Sequence, residues 1–215
     1  MAAMIGPVEA AAPATFLALG DSYTIGEGVA ADRNWPSLLA DALRAQKVDI
    51  ADPQIVARTG WTTDELSDAM DRHAFHPPYD LVTLLIGVND QYRGRDVAAY
   101  EPAFDRLLVR AITLAGGRAQ RVIVVSIPDW GVTPFAQSGG RDRTRIAHEI
   151  DAYNAVNARI AAARRVHYVD VTQDYRERGD LPQMLVADGL HPSPAMYDRW
   201  VEFIASTARR ALSSR

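Results

Sequence analysis

The spacing of apolar and polar positions changes repeatedly along the chain. Residues 15–19 are a short apolar run, which predicts a first strand. Trp35, Leu38, Leu39, Ala42 and Leu43 then recur at helical spacing, behind Asn34 as a cap and Pro36 in the first turn. A second strand is predicted over Gln54–Ala57. Thr62, with Glu65 three residues later, reads as a capping box opening a helix through Leu66 and Met70. Residues 81–86 form a continuous strand signal of the kind buried on both faces. Phe104, Leu107, Leu108, Ala111 and Ala115 make the next helix, stopped by Gly116-Gly117. Residues 121–127 and 166–171 supply the fourth and fifth strands. Between them Ile146, Ile150, Tyr153, Asn157 and Ile160 mark a long helix. The last helix opens at Ser193-Pro194 and buries Tyr197, Trp200, Val201, Ile204 and Ala208.

Strands alternate with helices and no hairpin signal joins any two strands. That order predicts an α/β fold, a parallel sheet covered by helices on both faces. Right-handed crossovers put every strand's C-terminal end on the same edge, where such sheets bind ligands. The residues just after each strand are therefore the candidates for function. One domain is predicted over residues 15–215. Residues 1–14, alanine-rich and without Lys or Arg, are expected to be a flexible segment outside it. The loop at 131–143, with Gly139-Gly140, lies on the predicted active edge and is expected to be mobile.

Composition narrows the chemistry. The absence of cysteine removes disulfide frameworks, thiol nucleophiles and zinc ribbons. A net charge of -4 without a basic run makes nucleic acid an unexpected partner. Lys47 is the only lysine and lies near the end of a polar helix face, which suits neither a P-loop nor a Schiff base. No apolar stretch approaches the length of a bilayer span. The first residues lack the basic start and apolar middle of an export signal, so the expected location is cytoplasmic. The sequence leaves the oligomeric state open.

Gly20-Asp21-Ser22-Tyr23 follows the first strand, Thr59-Gly60-Trp61-Thr62 the second, and Gly87-Val88-Asn89-Asp90 the third. Pro128-Asp129-Trp130 follows the fourth. Asp188-Gly189-Leu190-His191-Pro192 comes beyond the fifth, before the last helix. These residue types suit acyl transfer. A Ser22 hydroxyl at a strand-to-helix turn can act as nucleophile, His191 can take its proton, and Asp188 can fix the imidazole tautomer. The Ser22 N–H, the Gly60 N–H and the Asn89 amide would supply three donors for an oxyanion. Taken singly, Ser22 also reads as a helix cap, Asn89 as a turn former and Gly60 as a tight turn. Asp21, Asp90 and Asp129 read as turn residues bonded to nearby backbone. His73, His76, His148 and His167 have no ligand spacing, so no metal site follows. Tyr23, Trp61, Tyr92 and Trp130 fall beside the active edge and are candidates to line a substrate groove, against a reading as packed or exposed aromatics.

Together these blocks resemble those of the SGNH hydrolases, the GDSL-type esterases and lipases, over residues 15–212. The resemblance implies Ser22 as nucleophile, His191 as base, Asp188 as its partner, and Ser22, Gly60 and Asn89 as the oxyanion hole. It also implies a three-layer α/β/α sandwich around a five-stranded parallel sheet of flavodoxin-like order 2-1-3-4-5. Two departures stand out. Tyr23 takes the place of the usual Leu, and Arg58-Thr59 precedes Gly60 where an Asn is common. The expected activity is hydrolysis of short-to-medium acyl or aryl esters without a cofactor, at a compact site with no long lid. Sugar O-deacetylation, thioester hydrolysis and lysophospholipid hydrolysis use the same mechanism. A non-catalytic flavin- or nucleotide-binding module on the same sheet is the alternative from another class. It leaves Asp188 and His191 unexplained and lacks a third glycine after Gly26 and Gly28.

Overall fold

Five parallel strands in the order 2-1-3-4-5 carry the fold in the computed structural model, which describes residues 12–213. The first half of the chain runs β1 (Phe16–Gly20), α1 (Ser22–Ile25), α2 (Trp35–Ala45), β2 (Gln54–Ala57), α3 (Thr63–Arg72), β3 (Leu81–Leu85), α4 (Val88–Tyr92) and α5 (Val97–Leu114). The second half runs β4 (Val122–Val125), α6 (Pro134–Ser138), α7 (Arg143–Ala163), β5 (His167–Val169), α8 (Thr172–Arg178) and α9 (Pro194–Ser213).

Every residue of β1, β3 and β4 is buried, because helices cover both faces of the sheet's centre. β2 and β5 are the edges and are only partly buried. α2 packs against α9 on one face, while α3, α5 and α7 pack in sequence on the other. That division follows from right-handed crossovers, since the chain steps one way from β1 to β2 and the other way afterwards. Helix starts follow their caps: Asn34 accepts the Ser37 N–H, and Thr62 and Glu65 form the reciprocal capping box.

The differences from the sequence reading have local causes. β5 ends at Val169 rather than at 171, because Asp170 leaves the ladder to accept hydrogen bonds from Ser126 Oγ and the Thr172 N–H. α5 starts at Val97, ahead of its first large apolar anchor, because Asp96 caps it through the Ala98 N–H. Residues 1–11 lie outside the described residues, so the expected flexible segment is described only at its end. There Ala14 pairs with Ile50 in a parallel bridge. The segment 131–143 is not an irregular loop: it holds α6, entered through Thr133 as cap and Pro134 in the first turn.

Candidate active site

The turn after β1 has no room for a side chain at Gly20. A Cβ there would collide with Thr24 Oγ1 and stand 2.5 Å from the Leu85 carbonyl oxygen. Asp21 then caps α1 by accepting the Tyr23 N–H at 3.0 Å, which leaves Ser22 at the helix N-terminus. The hydroxyl of Ser22, nearly buried, lies 2.9 Å from His191 Nε2. His191 comes from the far end of the chain, on a tight loop ahead of α9. The loop is closed by the Val186 N–H donating to the His191 carbonyl at 2.9 Å and by a Leu185–Pro192 bridge.

Asp188 completes the line. Its Oδ2 is 2.6 Å from His191 Nδ1, and its Oδ1 accepts the Leu190 and His191 N–H groups at 2.8 and 2.9 Å. Partial burial pushes this carboxyl's pKa up, but the His191 ring and the two N–H groups outweigh it and hold it below the usual value. Asp188 is therefore a carboxylate at neutral pH.

Gly60 and Asn89 face the same cavity as Ser22 and His191. Gly60 has φ +86°, which favours glycine, and among the described residues only the Arg93 guanidinium lies within 4 Å of where a Cβ would stand. Among the described residues, the N–H groups of Ser22 and Gly60 have no hydrogen-bond acceptor. The Asn89 amide donates one hydrogen to the Trp61 carbonyl at 3.0 Å, which leaves its second free to donate.

The cavity holds about 160 Å³. Thr59 adds to its polar side, while Val88, Tyr92, Trp130, Phe135 and Leu190 make an apolar wall. Tyr23 and Trp130 line it while almost fully buried; Tyr92 is partly exposed at the surface. Trp61 does not line it. The Trp61 side chain, partly buried, packs against the core, and its carbonyl accepts from Asn89. Phe135 and Leu190 were not singled out from the sequence. The Thr133-Pro134 helix start was the available signal for Phe135, and Leu190 sits between two residues that were.

The other acidic residues hold the frame. Asp90 accepts the Thr63 N–H and hydroxyl at 2.9 and 2.8 Å and pairs with Arg95 at 2.9 Å. Asp129 accepts the Gly131 N–H at 2.9 Å and Arg176 Nε at 2.8 Å. Among the described residues no three His, Asp or Glu side chains are placed to share a metal ion, and no helix is long and apolar enough to cross a membrane.

Comparison with known proteins identifies the family. The profile of the GDSL-like lipase/acylhydrolase family matches residues 18–199. An arylesterase from Vibrio mimicus is 26% identical over 196 residues, covering 88% of this chain and 85% of that protein. A lipase/acylhydrolase from Enterococcus faecalis has a similar fold, with TM-score 0.71 at 20% identity over 91% of this chain and 96% of that one. An acetylxylan esterase from Geobacillus stearothermophilus superposes with TM-score 0.66 at 19% identity over 95% and 96% of the two chains. The chain is thus a carboxylic ester hydrolase and belongs to the GDSL-like lipase/acylhydrolase family.

Proposed function

We propose that the protein hydrolyses short acyl and aryl esters through an acyl-enzyme on Ser22. The observation that carries this reading is the unbroken line from Asp188 Oδ2 through His191 to Ser22 Oγ, at 2.6 and 2.9 Å. His191 Nε2 takes the Ser22 proton as Oγ bonds to the ester carbonyl carbon. Asp188 stabilises the imidazolium through Nδ1. The carbonyl oxygen gains charge and is met by the Ser22 N–H, the Gly60 N–H and the free hydrogen of the Asn89 amide. The C–O bond to the alcohol breaks, His191 gives its proton to the departing oxygen, and the acyl group stays on Ser22. Water then attacks the acyl-enzyme, with His191 as base, and releases the acid.

The cavity favours a small acyl group. Its 160 Å³ is below the roughly 300–1,000 Å³ of sites for drug-sized ligands. The name of the acetylxylan esterase among the similar proteins fits a small acyl group, and that of the arylesterase fits an aromatic alcohol part. Sugar acetyl esters are therefore the second reading, favoured by the same volume.

Intact-protein mass after exposure to a fluorophosphonate tests the mechanism, with p-nitrophenyl esters of increasing acyl length and an acetylated xylo-oligosaccharide as substrates. One adduct is expected on wild type and none on Ser22→Ala, whose kcat should fall by at least about 10⁴-fold. A folded wild-type protein that neither labels nor turns over any ester would overturn the reading.

A further inference from the structure

The loop after β2 carries one of the three oxyanion donors; of its side chains, Thr59 donates to Glu27 and Trp61 packs against the core, but neither reaches the Gly60 carbonyl. Gly60 has no side chain, and among the described residues only Arg93 comes within 4 Å of the space a Cβ would take. Its peptide groups are instead held from α4. Asn89 and Arg93 are one helical turn apart, so both side chains reach over this loop. Asn89 Nδ2 donates to the Trp61 carbonyl at 3.0 Å, and Arg93 Nη2 donates to the Gly60 carbonyl at 2.7 Å. The Arg93 guanidinium is steadied in turn by Glu65 Oε2 at 3.2 Å. Glu65 is itself fixed by the capping box, where its Oε2 accepts the Thr62 N–H at 2.9 Å.

We propose that Arg93 is a positioning residue for the oxyanion site. It holds the Gly60 carbonyl so that the Gly60 N–H, on the preceding peptide, faces the cavity beside the Ser22 N–H. The inference rests on the acyl-enzyme reading of Ser22. Arg93 itself does not touch the oxyanion; it sets where a donor stands. A small displacement of that donor matters more as the carbonyl oxygen gains charge than it does in the bound ester. The effect therefore belongs on kcat rather than on KM. The competing account is an ordinary surface ion pair between α3 and α4. Both partners are about half exposed, at 52% and 44%, and such a pair contributes little to stability and nothing to turnover.

Three variants of the full chain separate the accounts. Arg93→Met keeps the aliphatic stem without a donor, Arg93→Lys restores a charged donor, and Glu65→Gln keeps the capping box without the charge. With p-nitrophenyl acetate, Arg93→Met should lower kcat about 10-fold. KM and Tm should stay close to wild type, and the fluorophosphonate adduct should form more slowly. Arg93→Lys should recover most of the lost kcat, and Glu65→Gln should lose less than Arg93→Met. An Arg93→Met kcat within about twofold of wild type, where wild type labels at Ser22, overturns the positioning role alone. A loss that Arg93→Lys does not restore overturns it as well. A wild type that does not label removes the Ser22 reading and this inference with it.

Discussion

Asp188 grips His191 twice, through the ring at 2.6 Å from Nδ1 and through the His191 backbone N–H at 2.9 Å. One carboxylate thus sets both the tautomer and the path of the loop. Asp188→Asn keeps an acceptor for the two loop N–H groups but offers its amide to Nδ1, which favours the wrong tautomer. This variant should keep a Tm near wild type while kcat falls by about 10⁴-fold. Asp188→Ala should lose the loop's hydrogen bonds as well and melt earlier. Steady-state kinetics beside thermal melts check both, and a near-native kcat in Asp188→Asn would remove Asp188 from the mechanism.

Tyr175 supports the same loop from below. Its hydroxyl, on a fully buried ring, donates to the Leu190 carbonyl at 2.6 Å, one residue before His191. Tyr175→Phe strands that carbonyl, at a cost of about 1–3 kcal/mol. Urea unfolding should show this loss, and kcat should fall by far less than in Asp188→Asn. Unchanged unfolding would mean that the carbonyl finds another partner.

The elements legible in the sequence are those with a single burial pattern over several residues. β1, β3 and β4 read as apolar runs because both their faces are covered, and α9 reads clearly because one face packs on α2 and the sheet. α1, α4, α6 and α8 are missing from that reading because none is long enough to show a helical period over the window such patterns need. Ser22, Asn89, Asp188 and His191 stand out for another reason: Ser22 and Asn89 carry polar chemistry just after a buried strand, and Asp188 and His191 sit three residues apart in one short loop ahead of α9. The cavity wall stands out less. Phe135 and Trp61 look alike in sequence and both pack partly buried against the core, but α6 also brings Phe135 to the cavity. Arg93 was invisible because its partner is a carbonyl, which has no signature in sequence.

Acyl length should be set largely by Trp130. Its Nε1 donates to Gln91 Oε1 at 2.8 Å, and Gln91 Nε2 donates to Glu149 at 2.7 Å, so the ring is braced as a wall. Each methylene that finds or loses a place in such a pocket changes kcat/KM by roughly 10- to 200-fold. Wild type should therefore prefer acetyl to butyryl esters, and Trp130→Ala should move the optimum to longer chains. Gln91→Leu removes the brace but keeps the ring, so its shift should go the same way and be smaller. Identical profiles for wild type and Trp130→Ala across p-nitrophenyl acetate to octanoate would contradict the wall.

Asp21 should shape the pH dependence of stability. It is fully buried, and among the described residues its Oδ2 has no hydrogen-bond partner. Burial is the main force raising its pKa; the Tyr23 N–H opposes it, Asp90 adds to it, and the result is about 8 against an ordinary 3.8. Between those values the folded chain keeps a proton that the unfolded chain has released. The stability tied to Asp21 is therefore full below the unfolded value and is lost as pH rises through about 8. Asp188 acts in the opposite sense: its lowered pKa favours the folded state above the unfolded value, and that share is lost as pH falls. Asp21→Asn keeps the acceptor for the Tyr23 N–H and is neutral at every pH. Its Tm should decline less than that of wild type between pH 5 and about 8.5, with the gap widest at the alkaline end. Melting curves at pH intervals decide this, and parallel Tm profiles for the two proteins would mean that Asp21 is already ionised in the folded state.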